Sequence, residues 1–256
     1  MNNACKSLVA AFLASAVSLS VAAESVKVTP LGSHDGEFCA MDRALIFEDP
    51  NGTRILYDAG RTVAGADDPR LGNIDVVLVS HVHGDHVGDR HIREVNQGSC
   101  GGPEVPVVVL PESPSFLTGP LAEYLKAAGV GASVGPPTGY VLTFTNGLVV
   151  YLSGDTGITA EQKLVVKDHY GAGLVVLNIG DTYTTGPEEA AYVVNDLIKP
   201  NAVIASHANE AATQDGMVRD GTRTKQFISL SSVPVHVPLS GKTMSFDGSA
   251  NCTGGC

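Results

Sequence analysis

The sequence is short of positive charge. Its 256 residues hold 16 Lys and Arg against 27 Asp and Glu, a formal net charge of −11. Phosphate binding needs Lys and Arg, and no cluster of them occurs, so nucleic acid is not an expected partner. Long apolar runs are missing after the first 23 residues, so no later segment is expected to cross a bilayer. No Cys-x-x-Cys pair is present, which argues against a cysteine-held metal. A Gly-x-Ser-x-Gly elbow, a phosphate-binding P-loop and a dinucleotide fingerprint are also lacking, so those enzyme classes have no support.

What is present reads as one mixed domain. Apolar residues make up 43% and charged residues 17%, the balance of a folded rather than a disordered chain. The length gives room for one buried core. Met1 to Lys6 is short and carries one positive charge, Leu8 to Val21 is apolar, and Val21-Ala22-Ala23 offers small residues before Glu24. That is the pattern of a secretory leader. A membrane anchor is the rival, but the apolar run is too short to span comfortably. The expectation is a leader over 1–23, a mature domain over 24–256, and a periplasmic or secreted product that meets no membrane after trimming. Cys5 leaves with the leader, and Cys39, Cys100, Cys252 and Cys256 remain. In an oxidising compartment four cysteines suggest two disulfides, with three possible connectivities. Cys252 with Cys256, and Cys39 with Cys100, is the favoured pairing, since the glycines of Cys252-Thr-Gly-Gly-Cys256 suit a short loop.

The spacing predicts strands at Val26–Pro30, Ala44–Phe47 and Arg54–Tyr57, separated by turns. Asp75–Ser80 is a continuous apolar run, which suits a buried central strand. Pro106–Leu110, Tyr140–Phe144, Leu148–Leu152, Leu174–Ile179 and Ala202–Ser206 are further strands. Thr159-Ala-Glu-Gln162 is a capping-box pattern before a helix that Gly171 closes. Pro187–Ile198 opens with Pro and two glutamates, as a helix N-terminus does. Leu117–Ala128 reads as a further short helix. Strands first, then strands alternating with helices, indicate a layered α/β protein.

The densest chemistry lies in His81-Val82-His83-Gly84-Asp85-His86, directly after Ser80. Three imidazoles and a carboxylate within six residues form a set of metal-ligand groups. In extended backbone His81 and His83 point the same way. Gly84 permits a sharp turn, after which Asp85 and His86 can face a second metal.

With Leu56-Tyr-Asp58-Ala-Gly60, Tyr151-Leu-Ser-Gly-Asp155-Thr-Gly157 and Ile204-Ala-Ser-His207, each at a strand end and in this order, the chain resembles the metallo-β-lactamase superfamily. The segment from Asn178-Ile-Gly-Asp181 to Pro187-Glu-Glu-Ala190 is most similar to its ascorbate-phosphate-lactonase-like branch. The resemblance implies a four-layer αββα sandwich with a site along one edge of two sheets. It implies metal ligands His81, His83, Asp85, His86, Asp155 and His207, with Asp155 bridging two metals and Asp58 supporting a ligand from behind. Loops like the one holding His34 flank the site in that family, so His34 is a candidate substrate contact. His169 and His236 read as structural, and Asp89 as a helix or turn residue near the site.

One ligand of the family pattern is missing. Between His86 and Asp155 only His91 occurs, too close to His86 and expected on the surface of a following helix. A segment between residues 111 and 120, near Ser113–Ser115, reads as lost together with the strand that carries the third histidine; Glu112 or Ser113 could compensate. The first of two metal sites is therefore weakened. Zinc suits the mixed His/Asp set, and manganese or iron also fit. The expected activity is metal-dependent hydrolysis of a small ester, lactone or related carbonyl or phosphoryl substrate by a metal-bound hydroxide, with Asp85 both holding metal and accepting a proton. The alternatives are a catalytically weakened metal-binding member of the fold, and a β-lactamase.

Overall fold

The computed structural model describes residues 24–88, 90–92, 100, 107–109, 137–181 and 183–256. The expected leader over 1–23, Asp89, the helix over 117–128, Glu112, Ser113 and the loss between 111 and 120 lie outside the described residues.

The N-terminal half builds an antiparallel meander. Strands β1 (Val26–Pro30), β2 (Leu45–Glu48) and β3 (Arg54–Tyr57) pair in succession, and β4 (Val76–Leu78) joins β3 in parallel. The short helix α1 (Gly84–Val87) follows. Next come β5 (Arg90–Ile92) and β6 (Val107–Val109), an antiparallel pair of their own. His91 therefore lies in a strand rather than on the expected helix. Its three-residue strand pairs in register with β6, a long-range contact that the local spacing did not carry.

The second half alternates. Strand β7 (Tyr140–Thr143) turns into β8 (Val149–Leu152), helix α2 (Gln162–Lys167) leads to β9 (Leu174–Asn178), and helix α3 (Pro187–Tyr192) leads to β10 (Ala202–Ser206). Helix α2 is π-helical, and α3 runs on as π-helical turns over Val193–Ile198. The small pair β11 (Thr213–Gln214) and β12 (Met217–Val218), helix α4 (Arg223–Leu230), and strands β13 (Val235–His236), β14 (Met244–Phe246) and β15 (Cys252–Gly254) complete the chain. One sheet has the order β15-β14-β1-β2-β3-β4, and the other β13-β10-β9-β8-β7. Half of the expected capping box is in place, and the Gln162 N–H donates to the Thr159 carbonyl rather than to its hydroxyl. The Thr159 N–H donates to Gln162 Oε1 at 3.1 Å, and Gly171 closes α2 at φ +67.

Burial follows from the patterns. In β1 the alternation Val-Lys-Val-Thr-Pro turns one face inward. Strands β9 and β10 are parallel neighbours covered on both faces, and β9 is buried throughout. Val28, Phe47, Tyr57 and Phe246 of the first sheet meet Leu152, Leu174, Val176 and Ile204 of the second. The far face of the second sheet, with Val175, Leu177 and Val203, meets Val166, Val194 and Phe227 from the helices. The far face of the first sheet is covered by Leu31, Val63 and Leu71 from loops. This is an α/β sandwich of two sheets.

Strand β4 departs from the expected buried centre. Among the described residues it stands at the end of its sheet, with Val77 57% exposed. An apolar run shows affinity for a sheet but not position within it. Both favoured disulfides are present, Cys39–Cys100 and Cys252–Cys256. His236 is structural as expected, its ring edge-on to Phe246 at 5.3 Å.

Candidate metal centre

The site assembles where the two sheets present their strand ends. Strand β3 stops at Tyr57, and Asp58 turns the chain at φ +44. Its Oδ1 accepts the Ser80 N–H at 2.7 Å, and its Oδ2 accepts the Ser80 hydroxyl and His86 Nδ1, both at 2.8 Å. The end of β3 is thereby stapled to the chain leaving β4. With Nδ1 donating to Asp58, the Nε2 lone pair of His86 faces the site. A carboxylate behind a histidine sets its tautomer and raises its basicity as a ligand.

The second sheet supplies Asp155 and His207. Gly154 takes φ +57, and a Cβ there would stand 2.9 Å from Ser80 Cβ and 3.0 Å from Thr138 O. Its N–H donates to the Tyr57 hydroxyl at 3.0 Å. Asn178, at the end of β9, donates from Nδ2 to the carbonyls of Gly154 at 2.6 Å and Thr156 at 3.1 Å, bracketing Asp155. His207 follows β10 at φ +51, and a Cβ on Gly180 would lie 2.1 Å from its carbonyl oxygen. Only glycine fits at 180 without displacing that turn.

Five of the six expected ligands fall into two close groups, and His83 falls into neither. His81, His86 and Asp155 place ligand atoms within 4.8 Å of one another, and so do Asp85, His86 and His207. Asp155 Oδ2 lies 3.2 Å from His207 Nε2 and 3.6 Å from His81 Nε2, while its Oδ1 lies 3.2 Å from His86 Nε2. The carboxylate therefore touches both groups. His83 is more exposed, with Nδ1 2.9 Å from His81 Nε2. His34 is buried against the Ser33 hydroxyl and Cys39 sulfur, outside both ligand groups.

The electrostatics call for a cation here. Burial opposes charge on Asp85 and Asp155, yet contact with His207 and the charge on His86 hold both carboxyls well below the usual range. Burial would lower the His86 pKa, but the carboxylates of Asp155 and Asp58 overcome it and raise it to about 9. His81, buried and beside His86, is lowered to about 4. Without a metal ion the cluster thus draws a proton onto His86. His86 Nε2, Asp155 Oδ1 and His207 Nε2 are buried, and although each imidazole nitrogen stands 3.2 Å from an Asp155 oxygen, none of the three makes a well-directed hydrogen bond among the described residues. Three such atoms converging on one point are costly unless something binds them. A divalent ion would satisfy all three, so the residues fit a metal.

Three contributors have no role assigned from the sequence, although Asn178 opens the segment likened to the lactonase branch. Arg43, Asn178 and Asn209 surround the ligands, and Arg43 and Asn178 line the cavity beside His86, Asp155 and His207. A strand-end position could have marked Asn178; nothing near Arg43 or Asn209 in the sequence marks them.

A family model described as a beta-lactamase superfamily domain matches residues 42–207. A protein named metal-dependent hydrolase from Polynucleobacter asymbioticus is 27% identical over 235 residues, covering 77% of this chain and 81% of its own. One of the same description from Thermococcus onnurineus is 30% identical over 190 residues, covering 64% and 80%. Among solved structures, a metallo hydrolase from the archaeon Ignicoccus hospitalis shares the fold at a TM-score of 0.54 and 20% identity, covering 87% of this chain and 99% of its own.

Proposed function

Since the chain belongs to the beta-lactamase superfamily domain family, we propose that it is a metal-dependent hydrolase acting on a small ester, lactone or related carbonyl or phosphoryl substrate. The observation that carries this reading is the convergence of His86 Nε2, Asp155 Oδ1 and His207 Nε2, buried and without well-directed hydrogen bonds among the described residues. Asp85, His86, Asp155 and His207 would hold one ion. His81, His83 and Asp155 would hold a second, with Asp58 fixing His86 from behind. Zinc suits these ligands, and manganese or iron also fit. A bound divalent ion lowers the pKa of a water and polarises the substrate oxygen.

The chain's own groups do the rest. The Asp85 side chain is 23% exposed, against 10% for Asp155, so Asp85 is the carboxylate that solvent reaches. It takes the proton of the attacking water. Burial opposes its charge, yet contact with His207, and then the charges of His86 and Arg43, hold its carboxyl low. The likeness of the 178–190 segment to the lactonase branch favours a lactone among these substrates.

The two sites are unequal. The first has two imidazoles and a shared carboxylate, and His91 sits in β5. Affinity follows ligand count and geometry. Zinc titration of the full chain, freed of metal, is expected to show one tight equivalent and a second at least about tenfold weaker. Turnover on a panel of lactones and esters should require the tight equivalent and be slow. A chain that takes up neither zinc nor manganese would sink the metal-centre reading. One bound equivalent without turnover on any substrate would favour a weakened, metal-binding member of the fold.

Export fits the same picture. Disulfides form and persist mainly in oxidising compartments, and the two cysteine pairs stand at bonding distance. The mature product is expected to begin at Glu24 by N-terminal sequencing of material from the periplasm or medium. A product retaining Met1 overturns the export proposal.

A further inference from the structure

Arg43 is a charged side chain only 2% exposed. It lies between Asp42 and Ala44, just before β2, in a stretch with no metal-ligand signature. A buried guanidinium needs partners; here both terminal nitrogens have them, while the buried Nε has no hydrogen-bond partner among the described residues. Nη1 donates to the carbonyls of Ala40 at 2.9 Å and Asp42 at 3.3 Å. Nη2 donates to Asn209 Oδ1 at 2.7 Å and to Asp85 Oδ2 at 3.3 Å. That same Asp85 oxygen lies 3.5 Å from His207 Nε2 and 3.6 Å from His86 Nε2.

The two acceptors on Nη2 belong to different sheets. Asp85 is carried by α1, after the first sheet's β4. Asn209 follows β10 of the second sheet, two residues past His207, and both His207 and Asn209 hold positive φ, at +51 and +54. Left-handed turns in non-glycine residues cost energy unless their surroundings hold them. Gly60 completes the seat. Its N–H donates to the His86 carbonyl at 2.9 Å, and a Cβ there would lie 2.6 Å from the Asp85 carbonyl oxygen and 3.4 Å from Arg43 Cβ. The backbone can approach this closely only without a side chain.

We propose that Arg43, acting with Asn209, is a positioning residue that clamps the Asp85 carboxylate and the His207 turn together across the two sheets, so that Asp85 Oδ2 and His207 Nε2 face one metal ion. This rests on the metal-centre reading above. The planar fork of the guanidinium suits such a clamp, because one nitrogen serves two acceptors while the other is anchored on backbone carbonyls, which a point charge cannot do. Supporting groups of this kind typically contribute ~10–100-fold in metal affinity.

A plain counter-charge predicts the opposite sign. A guanidinium 3.3 Å from a ligand oxygen repels an incoming cation, so if charge were its whole role, removing it would tighten metal binding. The test is zinc affinity of the metal-free full chain, by competition with a chromophoric chelator, with folded protein checked by circular dichroism. Arg43→Met keeps the length and removes the donors. Asn209→Gly tolerates the positive φ and removes only the acceptor. Both are expected to bind zinc more weakly, by ~10–100-fold for Arg43→Met and in the same direction for Asn209→Gly. Should Arg43→Met fail to fold, Asn209→Gly decides the question. Unchanged affinity in a folded variant makes the residue merely structural and overturns the inference; tighter binding overturns it in favour of the counter-charge. Wild-type chain that binds no zinc overturns the metal centre itself, and this inference with it.

Discussion

Asp155→Ala is expected to strip the chain of metal and of hydrolytic activity together. Its two oxygens reach His86, His207 and His81 at 3.2, 3.2 and 3.6 Å, so it is the carboxylate that, with His86, joins both ligand groups among the described residues. Alanine removes the carboxylate common to both proposed ions and leaves Asp85 as the remaining anion among the proposed ligands. The loss should exceed the ~10–100-fold that removal of a mere supporting group costs, and we expect on the order of a thousandfold or more. Metal analysis after dialysis, beside turnover on a lactone, reads it directly. The fold should survive, because deleting a buried carboxylate removes charge rather than packing. Wild-type metal retention in the variant would remove Asp155 from the ligand set.

The largest stability effect is expected from Phe47→Ala. Phe47 is fully buried in β2, between the two sheets, with its ring 6.0 Å from that of Phe144. Truncation removes most of a large ring from the core that holds the layers together. Such changes cost ~3–5 kcal/mol, a large share of the ~5–15 kcal/mol that stabilises a typical domain. Urea unfolding of metal-free protein measures it. The effect reaches the site, since Asp58 and the His81–His86 run hang from the first sheet and Asp155 and His207 from the second. A loss under ~1 kcal/mol would mean that the layers relax to fill the space, and that the join between sheets does not depend on this ring.

Much of the site was legible in the chain. The His81–His86 run is local: a short stretch of extended backbone and one turn place its side chains on one side of the sheet edge. Asp58, Asp155 and His207 each follow an apolar run that ends abruptly, and strand ends in layered α/β folds are where ligands gather. The helix at Pro187 and the box at Thr159 were readable because caps satisfy backbone groups within three residues of themselves. The C-terminal elements were not. Strand β14 pairs with β1, and β15 with β14, so that the chain's last strands close on its first across more than two hundred residues, and helix α4 has a polar surface with few buried positions.

The sequence by itself determined which residues could bind a metal, which segments extend or coil, and that four cysteines follow residue 23. Those depend on side-chain chemistry and on neighbours within a few positions. Only the tertiary structure decided that Asp155 lies between His81, His86 and His207, that β4 stands at a sheet's end, and that Arg43 is buried against Asp85 and Asn209. Each of these is a contact between distant parts of the chain. Its energy comes from desolvation and packing when two sheets close on each other. An arginine in an exposed turn and one sealed beneath a metal centre have the same neighbours in sequence; the difference lies in what the fold brings to meet them.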